Sequence, residues 1–534
     1  MPKELDKKSL IKVKFVTIED SIVSIGFRRV AAVARKLNPD TEIYFITPGN
    51  VYSLLTYLFP LRKTSITDKD CQRIARELAK ADLLCFSSMT PSYPYVEKIT
   101  HLVKKINPKI FILCGGTHCI LYPEEAICHV DAICTWEGEK SFREFYQAFA
   151  HNKSYLRTKN MWFNVNGKII KNPYRPLNSS RELDNFPHLF NDYDCQIYDF
   201  KPAKFRRFTQ NDFFKYNGLA YKIIWTIGCP FSCFYCANDK FISIDKNYRL
   251  IRHSSVEFII KEIEEAIKIF PFISTIVFYD DSFMAVDQDS LIAFAKEYKK
   301  RINLPFVVFG MHPNTITREK IAILAEAGMN RTRMGIQSGS EKILSFYRRP
   351  TSLSNIIKSA KILARAAKKY KMIPPSYDII SDNPMATRKD IVNSLKLIYR
   401  LERPYTLNVF ALRIIRNTPL YNYFHQHLSL DIEALSAYQL ELKKTIDNIL
   451  LYILAIFKPP KLIFNWFLKY VKGYHEKQTS YPVIYWMIKS IYLFSRGLSH
   501  LKHLDFSNIG GSEGYYLWKL GLIRSKFRTQ AKLG

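Results

Sequence analysis

An alternation of apolar strand patterns with amphipathic helix patterns occurs twice along the chain and limits the folds that are open to it. Five such strands lie near residues 13–18, 43–47, 83–89, 110–114 and 132–135, and each is followed by a helical pattern. Six more lie near residues 222–226, 275–279, 306–310, 332–337, 377–381 and 407–412. Strands that alternate with helices pair in parallel, and the helices cover the sheet. The sequence therefore predicts an α/β protein whose first array forms a doubly wound parallel sheet.

The length of 534 residues is too great for one hydrophobic core, and about 150 residues per domain gives roughly three units. We expect a sheet domain over residues 1–150, a linker with a hairpin over 151–215, a second strand-helix domain over 216–415, and a helical region over 416–534. The hairpin is predicted at Asn166-Gly167, which is a short-turn signal, and the residues after it are rich in Pro, Ser and Asn.

Three closely spaced cysteines, Cys229, Cys233 and Cys236, follow the first strand of the second array. Three thiolates at this spacing can bind three irons of a cubane iron-sulfur cluster. Because no cysteine follows Cys236, the fourth iron is left open to a substrate or cofactor. The alternatives are a structural zinc site or reduced thiols in a turn. Zinc would need a fourth Cys or His at paired spacing, and none lies nearby.

The cysteine motif resembles the signature of the radical S-adenosylmethionine (SAM) enzymes, in which an aromatic residue, here Tyr235, precedes the last cysteine. In that family the amino and carboxylate groups of SAM chelate the open iron, and one electron from the 4Fe-4S cluster splits the sulfonium to give a 5′-deoxyadenosyl radical. The resemblance implies that the second array is a partial (β/α)6 barrel with its chemistry at the carboxyl ends of the strands. It also implies an electron donor such as a flavodoxin or a ferredoxin.

Two acidic residues, Asp280 and Asp281, follow the second strand of this array. Many radical SAM enzymes have an acidic residue here that accepts a hydrogen bond from the SAM amino group. The resemblance therefore makes Asp281, and then Asp280, candidate SAM-binding residues. The alternative is that one of the two carboxylates caps the following loop.

The fourth strand ends in Gly-Ile-Gln-Ser-Gly-Ser over residues 335–340, which resembles the Gly-x-Glu-Ser-Gly-Ser of cobalamin-type relatives. Gln337 replaces the usual Glu, and the resemblance makes Gln337 and Ser338 candidate SAM-binding residues. An amide keeps the hydrogen-bond geometry of a carboxylate but loses its charge, so the resemblance supports a polar contact and not an acid-base role. Arg331 and Arg333, earlier on this strand, could meet a carboxylate or be solvated.

Small and polar residues follow three strands of the first array. The carboxyl ends of strands in a parallel sheet meet along one edge, where ligands bind. The residues predicted at that edge are Ser87, Ser88, Gly115, Gly116, Glu137 and Gly138. Together with a Pro-Glu-Glu helix start at residues 123–125, they resemble the cobalamin-binding domain that precedes many radical SAM domains. The resemblance implies cobalamin as a cofactor and makes these six residues candidates for binding it.

One departure from the methionine synthase type of cobalamin domain concerns the cobalt ligand. Those domains carry Asp-x-His-x-x-Gly after the first strand, whereas this chain reads Glu-Asp-Ser-Ile-Val-Ser-Ile-Gly over residues 19–26. No lower axial histidine is present there. Radical SAM relatives that lack the motif hold cobalamin without a histidine or have lost the cofactor. His118, next to the two glycines, could be a replacement ligand or could shape the turn.

The composition is that of a globular protein from a reduced compartment, with 47% hydrophobic residues and ten irregularly placed cysteines. Cys114, Cys119, Cys128 and Cys134 fit no metal template, and we expect them to be inert. The N-terminus has no signal peptide pattern, and no stretch has the roughly 18 uncharged apolar residues of a membrane span, so we expect a cytoplasmic protein. A formal charge of +31 indicates nucleic acid or an anionic lipid surface as a partner.

The sequence from residue 448 onward is helical in pattern, aromatic and basic. It has ten Lys and three Arg against three acidic residues, and it contains Trp466, Trp486 and Trp518. Aromatic and basic residues at helical spacing are typical of an interfacial helix on anionic lipid, here at the inner face of the membrane. The alternative is a helical cap over the barrel mouth. Nucleic acid is less favoured, because no RNA-binding motif accompanies these residues.

The leading hypothesis is a radical SAM enzyme that cleaves SAM reductively and, with cobalamin, transfers a methyl group to an unreactive carbon. The substrate would be a small molecule, a lipid or a natural product, and the sequence contains no motif that identifies it. A ring-forming, oxidative or coupling radical SAM enzyme without methyl transfer is the second hypothesis. The third is a regulator that binds a cluster and has no turnover.

Overall fold

The computed structural model describes residues 11–48, 65–427, 441–473, 479–503, 505, 507, 516 and 518–522. The contacts among these residues divide the chain into two compact units. The first unit runs to Gly218, and the second begins at Leu219. Each unit is built on its own large β-sheet, as the two strand-helix arrays predict.

The first unit contains a nine-stranded sheet in the order β7-β6-β5-β4-β3-β1-β2-β8-β9. The strands are β1 (Val13–Ile18), β2 (Glu42–Ile46), β3 (Leu83–Ser87), β4 (Phe111–Gly115), β5 (Ala132–Cys134), β6 (Met161–Val165), β7 (Lys168–Lys171), β8 (Gln196–Asp199) and β9 (Lys204–Arg207). Strands β1 to β5 and β8 pair in parallel. The order reverses at β1, so a ligand crevice is expected beyond the carboxyl ends of β1 and β3. The predicted doubly wound parallel sheet is confirmed.

The segment 151–215, which we expected to be a linker with a hairpin, supplies four strands of this sheet. The hairpin itself is present, because β6 and β7 pair in antiparallel. The strands β8 and β9 form a second antiparallel pair, and β8 adds in parallel to β2, far earlier in the chain. Strands of only four or five residues give too short a pattern to be recognised by periodicity alone.

Eight helices of the first unit lie within the described residues: α1 (Ile25–Leu37), α2 (Asp68–Leu78), α3 (Tyr93–Ile106), α4 (Thr117–Leu121), α5 (Pro123–Ala126), α6 (Gly138–Ala150), α7 (Ser180–Leu183) and α8 (Gln210–Asn217). The start of α2 is set by a capping box. The Thr67 hydroxyl accepts a hydrogen bond from the Asp70 N–H, and the Asp70 carboxylate accepts one from the Thr67 N–H. Cys71, Ile74 and Leu78 then form one buried face of α2 at helical spacing.

The second unit contains a six-stranded sheet in the order β10-β13-β14-β15-β16-β17, with every neighbouring pair parallel. Its strands are β10 (Ala220–Ile223), β13 (Thr275–Phe278), β14 (Phe306–Met311), β15 (Met329–Gln337), β16 (Ser376–Asp382) and β17 (Thr406–Ala411). Two short strands, β11 (Thr226–Ile227) and β12 (Arg252–His253), form a separate antiparallel pair. Strands that follow one another in chain order wind in one direction, as in a (β/α) barrel. Among the described residues β10 and β17 do not pair, so the predicted partial barrel is confirmed.

The helices described in the second unit are α9 (Ala237–Ile244), α10 (Val256–Ile269), α11 (Gln288–Glu297), α12 (Arg318–Ala327), α13 (Glu341–Phe346), α14 (Leu353–Lys369), α15 (Arg388–Arg400), α16 (Pro419–His427), α17 (Ile446–Ile456), α18 (Lys461–Gly473) and α19 (Pro482–Lys502). The last three form the predicted helical C-terminal region. None of the helices in the described part of the chain is both long enough and apolar enough to cross a membrane.

The C-terminal helices pack against the edge of the barrel sheet. The Tyr492 hydroxyl on α19 donates to the Leu407 carbonyl of β17 at 2.6 Å and accepts from the Leu407 N–H at 3.0 Å. On α18, the Phe464 ring stacks on Tyr399 of α15, with 4.0 Å between ring centroids. An edge strand has unpaired backbone groups that need a partner or a cover. The C-terminal region therefore covers β17, in part as a structural cap.

Candidate active site and cofactor-binding residues

The cysteine loop begins directly after β11 and depends on a glycine. Gly228 has a φ of 112°, and a Cβ atom there would lie 2.5 Å from the Leu250 carbonyl oxygen and 2.8 Å from that of Tyr248. The next residue, Cys229, donates its N–H to the same Tyr248 carbonyl at 3.0 Å. Any side chain at position 228 would therefore push the first cysteine away from the Tyr248 carbonyl that anchors it.

The three cysteine thiols are free and mostly buried, with Cys229 8% and Cys233 6% exposed. Burial raises the pKa of Cys229 to about 11 and that of Cys236 to about 12, so the thiolate forms need nearby cations such as bound iron. In the described part of the chain, no three His, Cys, Asp or Glu side chains converge as ligands of a single ion would. Thiolates of a cubane cluster each bind a different iron and surround a larger space. The loop therefore fits a cluster with three protein ligands.

A buried arginine that the sequence analysis missed lies against this loop. Arg349, which precedes α14, is 8% exposed. Its Nη1 donates to the Cys233 thiol at 3.5 Å and to the Tyr235 hydroxyl at 3.2 Å, and its Nη2 donates to the Gly335 carbonyl at 2.6 Å. Arg349 thus joins the cysteine loop to the end of β15. It is more than 100 residues from Cys233, and no local motif marks it.

The two candidate acids after β13 have different surroundings. The Asp280 Oδ1 accepts the backbone N–H groups of Trp225 at 3.1 Å and Thr226 at 2.5 Å, so it fixes the link between β10 and β11. Burial raises the pKa of Asp280 to about 7. Asp280 therefore has a structural contact on the segment that leads into the cysteine loop, and a role toward SAM stays a prediction.

Asp281 faces the cysteines. Its carboxylate raises the pKa of the Cys229 and Cys236 thiols, although less than burial does, and it accepts a hydrogen bond from the Tyr248 hydroxyl at 3.4 Å. Desolvation raises its own pKa, yet the residue is accessible to solvent. Of the two acids, Asp281 is therefore the one whose charge acts on the candidate cluster ligands Cys229 and Cys236, and its role toward the SAM amino group stays a prediction.

The residues after β15 form a compact turn. Gln337 has a φ of 70°, and its side chain folds back over Gly335, where a Cβ atom would lie 2.5 Å from the Gln337 Nε2 and 3.1 Å from the Arg349 Nη2. Gln337 thus lies beside Arg349, and its predicted role toward SAM stays a prediction. The Ser338 hydroxyl accepts the Ser340 N–H at 3.1 Å, which stabilises the turn, and its predicted role toward SAM stays a prediction.

The ends of β3 and β4 in the first unit approach each other closely. Gly116 has a φ of 94°, and a Cβ atom there would lie 2.7 Å from the Ser88 carbonyl oxygen and 3.0 Å from the Ser87 hydroxyl. The Ser88 N–H donates to the Gly115 carbonyl at 3.0 Å, which ties the two strand ends together. Gly116 is exposed, so its backbone is open to a ligand at the sheet edge. This open backbone fits the close approach of a large planar group such as a corrin.

The residues that follow β5 at this edge are also held by hydrogen bonds. The Glu137 carboxylate accepts the Asn178 N–H at 2.7 Å, and its carbonyl accepts the Asn160 side-chain amide at 3.0 Å. Gly138 begins α6, where a Cβ atom would lie 3.3 Å from a Val30 methyl group. Glu137 is thus held as part of the loop, and its predicted role toward cobalamin stays a prediction.

His118 is turned into the first unit. It is 2% exposed, and its ring stacks between Tyr93 and Tyr122 with centroid distances of 3.7 Å and 4.8 Å. A cobalt ligand would have to reach the open edge beside Gly116. The position of His118 therefore supports its alternative role, which is to shape the turn.

Comparison with known protein families divides the chain in the same way. Residues 11–146 match the family model of the B12 binding domain, and residues 223–398 match that of the radical SAM superfamily. The chain therefore carries a B12-binding domain ahead of a radical SAM domain. Its cofactors are a 4Fe-4S cluster, SAM and cobalamin, for which the cysteine loop and the open edge at Gly116 are the candidate sites.

The individual relatives are distant in sequence. An uncharacterised methyltransferase of Pyrococcus horikoshii is 24% identical over 346 residues, which cover 64% of this chain and 68% of that protein. The anaerobic magnesium-protoporphyrin IX monomethyl ester cyclase of Rubrivivax gelatinosus is 22% identical over 296 residues, which cover 53% of this chain and 49% of the cyclase. The chain thus spans about half the length of the cyclase.

Two solved structures share the fold. The radical SAM methyltransferase TsrM of Kitasatospora setae, solved with cobalamin and a 4Fe-4S cluster, has a TM-score of 0.60 at 12% identity and 78% coverage of each chain. The cobalamin-dependent radical SAM enzyme OxsB, solved with aqua-cobalamin and SAM, has a TM-score of 0.60 at 14% identity, covering 96% of this chain and 75% of that chain. These likenesses confirm the predicted fold class.

Proposed function

We propose that the protein is a cobalamin-dependent radical SAM methyltransferase that acts on an unreactive carbon. The observation that carries the proposal is the presence, in one chain, of a loop with three free cysteines and a B12-binding domain. When bound, the cluster and SAM supply a carbon-centred radical and cobalamin supplies a methyl group, so the difficult chemistry belongs to the cofactors. The names of the Pyrococcus relative and of TsrM support this reaction class.

The side chains of this chain hold and orient the cofactors. Cys229, Cys233 and Cys236 would bind three irons of the cluster. Arg349 places a positive charge against Cys233, and its contact with the Gly335 carbonyl fixes the guanidinium in that position. Asp281, whose charge acts on Cys229 and Cys236, would accept a hydrogen bond from the SAM amino group.

The test uses the full chain, reconstituted without oxygen with iron, sulfide and hydroxocobalamin. We expect a visible iron-sulfur absorbance, cobalamin that stays bound after desalting, and formation of both 5′-deoxyadenosine and S-adenosylhomocysteine from SAM under strong reductant. Replacing all three cysteines with Ala should remove the cluster absorbance and the 5′-deoxyadenosine while bound cobalamin remains. A full cluster in the triple variant would refute the assignment of the loop.

Ring formation is the second candidate reaction, because the Rubrivivax relative is named as a cyclase. A ring-forming, oxidative or coupling enzyme consumes SAM through the radical step alone. It would therefore produce 5′-deoxyadenosine without S-adenosylhomocysteine in the same reconstituted assay. Formation of S-adenosylhomocysteine that requires bound cobalamin would favour methyl transfer.

We also propose that α18 and α19 rest on an anionic lipid surface at the cytoplasmic face of a membrane. The apolar side chains of α19 that are at least 48% exposed recur every three or four residues: Val483, Ile484, Met487, Ile491, Phe494, Leu498 and Leu501. On α18, Leu462 and Trp466 are 84% and 62% exposed. Lys489 lies 4.7 Å from the centroid of the Trp486 ring, which puts a cation at the border of the apolar face. Such a face with adjacent cations fits an interfacial helix.

Co-sedimentation with vesicles tests this surface. Truncation before residue 448 is unsuitable, because Tyr492 hydrogen-bonds the barrel edge. The double substitution Ile491→Glu and Phe494→Glu removes apolar contact while the packed face stays intact. We expect it to abolish binding to anionic vesicles, whereas Ile292→Glu, at an exposed position of the barrel, should bind as the unchanged protein does. Equal binding to neutral and anionic vesicles would contradict the proposal.

The electron donor would be an acidic flavodoxin or ferredoxin. A net charge of +31 favours a partner of opposite charge and speeds their encounter. Salt should therefore lower the rate of SAM cleavage that a flavodoxin supports and leave the rate with dithionite nearly unchanged.

A further inference from the structure

The inner face of the barrel sheet carries a polar and aromatic site below the cysteine loop. On β15, the buried residues Thr332, Met334 and Ile336 alternate with more accessible ones, so the second set faces the other side of the sheet. That second set contains Arg333 and Gly335, and Gly335 contacts Arg349 next to the cysteines. Arg333 therefore lies on the face that the cysteine loop occupies, two residues deeper, or about 7 Å along the strand.

The guanidinium of Arg333 is held from one side and open on the other. Its Nε donates to the two carboxylate oxygens of Asp378 on β16, at 2.8 Å and 2.9 Å. The side chain is 34% exposed, and within the part of the chain that the structure describes its two Nη atoms have no hydrogen-bond partner. Two parallel N–H donors at the end of a fixed guanidinium match the two oxygens of a carboxylate or a phosphate.

Aromatic rings flank this arginine. Its guanidinium carbon lies 5.6 Å from the ring centroid of Phe309 and 5.5 Å from that of Phe410, so it lies between two rings. Tyr279 packs edge-on against Phe309, with 5.1 Å between centroids. Tyr279 and Phe410 are 43% and 40% exposed although they lie at the ends of central and edge strands of a parallel sheet. Exposed rings on the inside of a barrel provide an apolar surface for a flat ligand.

Positive charge exceeds negative charge on this face. Lys222 of β10 is 6% exposed, and the positive charge of Arg331 lowers its pKa further after burial has done so. Arg331 pairs with Asp505 at 2.9 Å, and Arg496 of α19 donates to Asn408, which in turn donates to Asp378. Burial lowers the pKa of His500, the remaining titratable neighbour of Asp505. Three arginines, Arg331, Arg333 and Arg496, therefore accompany two carboxylates, Asp378 and Asp505, and the excess of positive charge favours an anionic ligand.

We propose that the inner face of the barrel binds a substrate with a flat apolar body and one oxyanion, a carboxylate or a phosphate. The oxyanion accepts both Nη donors of Arg333, and the apolar body lies against Tyr279, Phe309 and Phe410. This assignment rests on the proposed function in one respect, because it takes the ligand of the barrel to be the substrate. Binding of the ligand itself requires no cofactor.

The test measures the binding of three small probes to the full chain, with and without its cluster, by ligand-observed NMR. The probes are 2-naphthoate, 2-naphthyl phosphate and the uncharged 2-naphthalenemethanol. We expect at least one of the two anions to bind about tenfold more tightly than the alcohol, which is the gain expected for charge-assisted hydrogen bonds. The stronger anion decides between carboxylate and phosphate.

Substitutions separate recognition from general stability. Arg333→Met should weaken the preferred anion at least tenfold and leave the alcohol within about twofold, since the side-chain volume is kept. Arg333→Lys keeps the positive charge but loses the two parallel Nη donors, so it should give an intermediate affinity for the anion. A folded Lys variant with this affinity shows that the effect of the Met variant does not come from loss of folding. Phe410→Ala should weaken all three probes. Arg365→Met, at a 57% exposed position of α14, is the matched control.

Three results would overturn the proposal. They are equal affinity for anions and alcohol, no saturable binding of any anion, and unchanged anion affinity in a folded Arg333→Met variant. In each case the Arg333–Asp378 pair would be a structural ion pair only. Formation of 5′-deoxyadenosine by the same preparation reports separately on the proposed radical SAM function, so the two ideas fail independently.

Discussion

Removal of the Arg349 guanidinium should lower the reduction potential of the cluster. Arg349 is 8% exposed, and its Nη1 lies 3.5 Å from the Cys233 sulfur. Reduction adds one negative charge to the cluster and its thiolates. A cation held at hydrogen-bond distance in a buried site stabilises the reduced state more than the oxidised state. Arg349→Met removes this preference while it keeps most of the side-chain volume.

The expected shift follows from the strength of one such contact. A hydrogen bond to a charged group contributes about 1.5–3 kcal/mol. For a one-electron couple, about 1.4 kcal/mol corresponds to ~59 mV. If the contact acts mainly on the reduced state, the potential should fall by about 60–130 mV. A fall of this size makes the cluster harder to reduce and slows the cleavage of SAM by a physiological donor.

The assay is a redox titration of the reconstituted protein, followed by the electron paramagnetic resonance signal of the reduced cluster. Iron content and the visible spectrum confirm that each variant carries the same cluster. Arg349→Lys keeps the charge and should retain most of the potential, and Arg365→Met controls for loss of an exposed guanidinium. A fully loaded Arg349→Met variant with an unchanged or higher potential would refute the electrostatic reasoning.

Three further predictions use single substitutions. Gly228→Ala should reduce cluster incorporation severalfold, because its Cβ would lie 2.5 Å from the Leu250 carbonyl; Gly167→Ala shares a positive φ but has no neighbour within 4 Å, and iron analysis should show a full cluster. Gly116→Ala should lower the retention of cobalamin after desalting and leave the iron content unchanged. Cobalamin retention equal to that of the unchanged protein would contradict the edge at Gly116 as the binding site. Asp280 has a pKa raised to about 7 by burial, so it binds a proton more tightly in the folded state and makes the protein less stable as pH rises from about 4 to 7. Asp280→Asn should remove this pH-dependent loss of folding stability, which is on the order of a few kcal/mol. Thermal unfolding of the cluster-free protein across this pH range measures it, and an unchanged pH profile would show that the Asp280 carboxyl is not the cause.

Local patterns in the sequence determined the fold class and the cluster motif. The central strands β1, β3, β13 and β15 are continuous apolar or alternating runs, and such runs are visible wherever a strand is buried in a parallel sheet. The three cysteines fall within eight residues, so their spacing alone indicates a shared site. The two adjacent glycines at the end of β4 are likewise recognisable from their position in the sequence alone. Each of these features rests on residues that are neighbours in the chain.

Contacts between distant residues were decided only by the tertiary structure. Arg349 reaches Cys233 across 116 positions, and Arg333 reaches Asp378 across 45, so neither partner is recognisable from the segment around the other. The strands β8 and β9 also join the first sheet only through partners far along the chain or through a short hairpin. Charged side chains and short edge strands produce no hydrophobic periodicity in the sequence. What stabilises them is a contact with a partner elsewhere in the chain, and not a buried face that repeats along the segment. The sequence therefore predicted the candidate cofactor loops, whereas folding alone brought together the residues that surround them.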